Sequence, residues 1–320
     1  MNDKEFSDRL LTEIDKKRSV AVVGLDPVYQ RIPLCFREAT QRNEPNQLKA
    51  AADAIIIFNK CIIDVVESYV PAVKPQIAFY ERYGIEGIRA FIHSVEYARN
   101  KGLIVIEDAK RNDIGNTAQA YADGHIGMAK LDEDREYRIF GVDAITINPY
   151  LGSDSINPFL DTLEKHHKGI FVLVKTSNPS SSELQDIVLE DGKTKLFEYV
   201  AKIVNTWGER FVGRRGYSSV GAVVGATFPE HAKVLRSIMP KSIFLVPGYG
   251  AQGAAGKDIT ECFNKDGYGA IVSASRSINY PHGADLNISE DSFKILVENA
   301  IQAMNSDISE ALSGNGLLPW

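Results

Sequence analysis

The stretch LIVIEDAKRND, residues 103–113, decides how the chain folds. It opens on four aliphatic residues and then sets Asp108, Lys110 and Asp113 close together. A continuous apolar run, without polar alternation, is the pattern of a parallel strand covered on both faces. Charges belong at the end of such a strand only where that end is solvated or works on something. Side chains two apart in a strand share a face. Asp108 and Lys110 are therefore expected to point the same way, with Asp113 in the turn beyond.

Seven other runs read alike. They are VAVVGLD (20–26), VKPQIAF (73–79), AITINPY (144–150), IFVLVKTS (170–177), VGAVVGAT (220–227), SIFLVPG (242–248) and GAIVSASRS (269–277). Between them lie helical patterns. QLKAAADAIIIFNKCIIDVVESY has a broad apolar face, and IEGIRAFIHSVEYARNKG stops at Gly102. Further helices are expected around 116–131, 154–166, 196–211, 229–238, 253–264 and 289–304. Strand–helix alternation implies right-handed parallel crossovers. Eight such units predict an α/β fold, a (β/α)8 or TIM barrel, as a single domain over residues 1–320. An amphipathic N-terminal helix precedes it, and insertions follow strand 1 (27–46) and strand 5 (178–194). Both lie after carboxyl ends of strands, where barrel enzymes build their sites.

Composition narrows the function. A net charge of −6 with 24% charged residues leaves no basic excess for broad nucleic-acid binding. The charged N-terminus has no apolar signal core, and no run approaches the roughly 20 residues that span a bilayer. Cys35, Cys61 and Cys262 are scattered and odd in number, which predicts reduced thiols and a cytoplasmic location. The six histidines show no ligand spacing, so no metal is expected, and neither a Ser-His-Asp set nor a Walker loop is present.

Two regions then stand out. Lys74 in AVKPQ and Asp26 in GLDP end neighbouring strands, which brings Asp26, Lys74, Asp108 and Lys110 to one mouth. At about 4 Å and an effective dielectric near 20, each Asp–Lys attraction is on the order of 4 kcal/mol before desolvation. Carboxylates around Lys110 suit an ammonium that donates a proton. They disfavour a Schiff-base nucleophile, which must be neutral. A structural salt-bridge cluster is the alternative. The second region is VPGYGAQGAAG (246–256) with SASRSI (273–278), after strands 7 and 8. Barrels bind phosphate there through backbone N–H groups, and Arg276 and Gln252 can add donors. Gly248, Gly250 and Gly253 satisfy G-x-G-x-x-G, but the next strand ends in Ser-Arg-Ser without the acidic residue a dinucleotide site needs.

DAKRNDIGNT resembles the D-x-K-x-x-D-I signature of the orotidine 5′-phosphate decarboxylase family. VKPQIAFYE, GLDP, KTSNP, VPGYGAQG and SRSI match its other blocks in order, over nearly the whole chain. The length and the DAKRNDIG block resemble the longer bacterial-type subgroup. The resemblance implies decarboxylation of orotidine 5′-monophosphate (OMP) to UMP in pyrimidine biosynthesis, with neither metal nor organic cofactor. Lys110 would protonate C6 of the pyrimidine, with Asp108 beside the departing carboxylate. Lys74 and Asp26 would hold the ribose hydroxyls. Asp113 and Thr117 would reach into the neighbouring subunit's site, which makes a homodimer with shared active sites. Ile114 would line the pyrimidine pocket. Ser177 would contact the pyrimidine amide, a role Thr176 could also fill, and Gln252 and Arg276 would grip the phosphate. The rival readings are a barrel decarboxylase acting on a sugar phosphate with Mg²⁺, a Schiff-base aldolase, and a non-catalytic nucleotide-phosphate binder.

Overall fold

Eight parallel strands follow one another around a closed barrel. They are β1 (Ala21–Leu25), β2 (Ala72–Pro75), β3 (Ile104–Arg111), β4 (Ala144–Ile147), β5 (Gly169–Lys175), β6 (Ser218–Val224), β7 (Ser242–Val246) and β8 (Ala270–Ala274). The last strand returns to the first through Ala21↔Val272. The computed structural model describes residues 4–41, 44–250 and 253–320. Each apolar run of the sequence becomes one strand. Six of the eight are buried along their whole length, because helices cover the outside and side chains fill the inside. β3 breaks the rule: it is buried from Ile104 to Glu107 and opens to solvent over its last four residues.

The helices also obey local rules. Asn46 caps Gln47–Val66 by accepting from Leu48 N and Lys49 N at 3.1 and 3.2 Å. Ser289 caps the long final helix, Glu290–Gly314. The N-terminal helix Phe6–Lys17 closes the bottom of the barrel. Its Phe6 stands edge-on to Phe171, and a Cβ at Gly169 would strike the Phe6 ring at 2.2 Å. Asp8 accepts from the backbone of Arg214 and Arg215, both at 2.9 Å.

The final helix runs on to Gly314, past its expected end at 304, and two other expected helices differ in kind. The one expected over 116–131 runs only Gly115–His125, and a hairpin of Ala129–Lys130 with Glu136–Tyr137 follows. Asp132 turns that hairpin by accepting from the Asp134 and Arg135 amides, a bond that competes with helix. In place of a helix at 253–264 stand two 3-10 turns, Gly256–Asp258 and Thr260–Cys262. Gly253 takes φ +89° in a turn closed onto Gly250, and Asp258 and Asp307 accept the next two free amides, those of Ala255 and Gly256. Among the described residues no helix is long and apolar enough to cross a membrane.

Arg236, on helix Pro229–Ile238, braces the ends of β7 and β8. Its five N–H donors reach the carbonyls of Cys262 (twice), Met239, Ser242 and Gly269 at 2.6–3.1 Å. The guanidinium also lies 3.7 Å from the Phe244 ring centre. Burial pulls its pKa down to about 10. Arg236→Met should therefore strand several buried carbonyls and destabilise the barrel by at least about 3 kcal/mol. Urea unfolding measures this.

Candidate active site

The charged end of β3 is irregular, and the irregularity makes the site. Glu107 pairs with Ile145 and Arg111 with Ile147, so Asp108, Ala109 and Lys110 all bulge opposite Thr146. Lys110 takes the left-handed conformation, φ +50°, which residues with a Cβ avoid. Asp108 and Lys110 meet as expected, but by a fold-back rather than by the two-residue repeat of a strand. Lys110 Nζ lies 2.5 Å from Asp108 Oδ1, and Lys74 Nζ lies 3.1 Å from Asp108 Oδ2. Lys74 is buried, Asp108 is largely shielded, and Lys110 is half exposed.

Burial and charge oppose one another here. Burial would raise the Asp108 pKa, but the Lys74 and Lys110 ammoniums hold it well below the usual carboxylate range. Burial likewise disfavours the Lys74 ammonium, and the Asp108 and Asp26 carboxylates more than offset this, so its pKa is raised. Asp26 is fixed through its backbone. Tyr80 Oη donates to Leu25 O at 3.1 Å and Tyr280 Oη to Asp26 O at 2.9 Å. Its Oδ1 is buried and accepts no hydrogen bond among the described residues.

Lys74 and Asp108, with Pro247, line both of two cavities. One, of about 470 Å³, is also lined by Asp26, Arg31, Tyr249, Ser275 and Arg276. The other, of about 490 Å³, adds Lys110, Thr146, Leu173, Ser177, Gln185 and Leu245. Together they hold four cationic side chains (Arg31, Lys74, Lys110, Arg276) and two carboxylates (Asp26, Asp108). Four cationic side chains against two carboxylates suit the cleft to an anionic ligand. A third cavity, of about 540 Å³, opens at the other end of the barrel around Arg99, Arg138 and Asp143, far from this chemistry.

Most expected residues fall in the cleft. Arg276 has no carboxylate partner among the described residues and faces the first cavity. Ser177 faces the second, and Gly225 makes room for it, since a Cβ there would meet Ser177 at 2.8 Å. The neighbouring Thr176 hydroxyl is used by the loop: it donates to Asn178 Oδ1 at 2.6 Å and accepts from Gln185 Nε2 at 2.8 Å. Thr176 lines the same cavity, and the Ser177 hydroxyl has no hydrogen-bond partner among the described residues. Asp113, Ile114 and Thr117 line neither cavity; Asp113 Oδ1 accepts from Ile114 N at 2.8 Å, and Ile114 and Thr117 are exposed. Gln252 lies outside the described residues. Of the expected backbone donors at the phosphate end, the amides of Gly250, Gly253, Ala255 and Gly256 bond within the protein. Arg31, stacked 4.2 Å from the Tyr280 ring centre, lines the same cavity as Arg276. It sits in the insertion after β1 with nothing in its local sequence to mark it.

The family model described as orotidine 5′-phosphate decarboxylase / HUMPS matches residues 46–280. The chain belongs to this family. It is 44% identical over 277 residues to the orotidine 5′-phosphate decarboxylase of Caldicellulosiruptor saccharolyticus, covering 87% of this chain and 90% of that protein. It is 42% identical over 305 residues to the enzyme of the same name from Caldicellulosiruptor bescii, covering 95% and 99%. Among solved structures, Leishmania donovani OMP decarboxylase superimposes with a TM-score of 0.71 at 29% identity, over 96% of this chain and 98% of that one.

Asp108→Asn should leave the Lys74 ammonium buried beside Asp26 alone and destabilise the barrel at neutral pH by about 3 kcal/mol. Because the folded pKa of Asp108 lies below its unfolded value, its stabilisation is present above about pH 4 and is lost as pH falls through the folded value. Denaturant midpoints between pH 3 and 7 should thus fall more steeply in acid for the wild type than for the variant.

Proposed function

We propose that the cleft takes OMP and decarboxylates it to UMP, the step that supplies the pyrimidine nucleotide. The observation that carries this reading is a shared ion pair: Lys74–Asp108 lines both a cavity with Arg31 and Arg276 and one with Lys110 and Ser177. A phosphate on Arg276 and Arg31 puts the ribose against Asp26 and Lys74, whose unpaired Oδ1 and buried ammonium suit hydroxyl groups. The pyrimidine then enters the second cavity, with its amide at Ser177 and C6 toward Lys110.

In that pose the C6–carboxylate bond breaks, CO₂ leaves, and the electron pair stays on C6. The Lys110 ammonium stabilises the developing charge and then transfers its proton to C6, forming UMP; solvent reprotonates the amine. Asp108 stands beside the departing carboxylate and holds both lysines. The step asks for no metal or organic cofactor. Binding at the distant phosphate orients the ring and supplies interaction free energy for closing the loops 178–194 and 247–256.

The chain works as a single barrel domain and as a homodimer with shared sites. Asp113 and Thr117 line neither cavity of their own cleft, and Ile114, Tyr150 and Leu151 expose apolar surface suited to a second copy. A cytoplasmic location is supported by Cys35, Cys61 and Cys262, all free thiols.

The deciding experiment adds OMP to the purified chain in EDTA and follows loss of its ultraviolet absorbance. Conversion to UMP is expected; an inert, folded chain that still binds UMP would instead indicate a nucleotide-phosphate binder. Lys110→Ala should abolish turnover and keep substantial UMP affinity. Arg276→Ala should weaken UMP binding by about 1.5–3 kcal/mol, the loss of a charged hydrogen bond. Asp113→Asn and Lys110→Ala, each inactive alone, should regain partial activity when mixed; no recovery would overturn the shared site.

A further inference from the structure

Thr146 is the single β4 residue facing the three bulged residues of β3. Its Oγ1 accepts from the backbone N–H of Ala109 and of Lys110, both at 3.0 Å, and donates to Asp108 Oδ1 at 3.0 Å. A threonine hydroxyl has one donor and two acceptor sites, and here all three are used on the same short segment. No other described residue accepts from the Ala109 or Lys110 amide. The strands on either side give no substitute, because the ladder with β4 resumes only at Arg111 and the β2 side meets Asp108 alone, at Gln76.

We propose that Thr146 is a positioning residue for the decarboxylation: its hydroxyl fixes the left-handed turn at Lys110 and the rotamer of Asp108, so that the ammonium faces C6. This rests on the reading of the cleft given above. Two physical steps support it. A left-handed residue with a Cβ persists only where its surroundings hold it, and the two amide bonds to Thr146 hold Lys110 and the residue before it. The Lys110 side chain is half exposed and long, so its aim depends on the backbone it leaves from and on Asp108 Oδ1. Thr146 controls both. Its hydroxyl carries no charge and is spent on β3, and Thr146 lines the second cavity but not the one assigned to the phosphate and ribose, so their binding does not involve it.

The effect should therefore appear in kcat and not in nucleotide affinity. Thr146→Val preserves shape and removes the hydroxyl. It should lower kcat on OMP by about 100-fold, the scale of an ångström-sized misplacement, with UMP affinity by calorimetry close to that of the wild type. Thr146→Ser keeps the hydroxyl and should recover most of the loss. Near-normal kcat in Thr146→Val would overturn the proposal. So would an equal loss in Thr146→Ser, which would assign the effect to the methyl group, or a parallel loss of UMP affinity, which would mark a general structural role. If the valine variant does not fold, Thr146→Ala against Thr146→Ser makes the same comparison. A wild type inert toward OMP would instead refute the reading of the cleft. The crystal structure of Thr146→Val then decides the positioning claim: Lys110 leaving the left-handed region supports it, and an unchanged turn refutes it.

Discussion

One carboxylate between two ammoniums organises this mouth of the barrel. Asp108 touches Lys74 on one oxygen and Lys110 on the other, and neither Asp108 nor Lys74 has enough water around it to stand alone. Each contact is worth on the order of 4 kcal/mol before desolvation at an effective dielectric near 20. The Lys110 contact is more solvated and correspondingly screened. Removing a partner is therefore more damaging than the pair is stabilising, since a buried charge is left behind. That asymmetry explains why the backbone around Asp108 is so closely held.

The fold serves this arrangement from three sides. β3 is regular where it is buried and breaks its register where it reaches the mouth, so that a lysine two residues past the aspartate folds back onto it. Tyr80 and Tyr280 anchor the end of β1 and set Asp26 across from Lys74. After β5, Lys175 is fully buried against Asp186 at 2.9 Å, and Gln185 bonds the Thr176 backbone, so the long insertion has a fixed root below Ser177. A rigid rim with open lobes above it is a suitable frame for loops that close on a nucleotide.

Much of this was legible in the residues. The eight apolar runs located all eight strands, because a doubly covered parallel strand has no other way to look. The charges of DAKRND were legible for the converse reason, since charge in such a run demands a partner. The details that needed three dimensions were missed. The same-face rule placed Asp108 and Lys110 together correctly, yet the strand is not regular there, and Thr146 reads in AITINPY as one more β-branched strand residue. Arg31 and Arg236 sit in an insertion and on a helix, and only packing shows that one faces the cleft and the other ties five bonds to backbone carbonyls. The glycine-rich loop was read as a donor-rich phosphate cradle; four of its amides, those of Gly250, Gly253, Ala255 and Gly256, bond within the protein, and Arg31 and Arg276 line the cavity beside it.

The ionisation of Asp108 bears most directly on the central claim. Carbon-13 NMR of carboxyl-labelled aspartate, with Asp108→Asn for assignment, can follow this one group as the protein is acidified. The two-ammonium arrangement predicts a resonance that stays at its ionised position from neutral pH to below the ordinary aspartate midpoint near 4. A resonance that titrates at the ordinary midpoint would mean that Lys74 and Lys110 do not bracket Asp108 in solution, and the account of the site would fail with it.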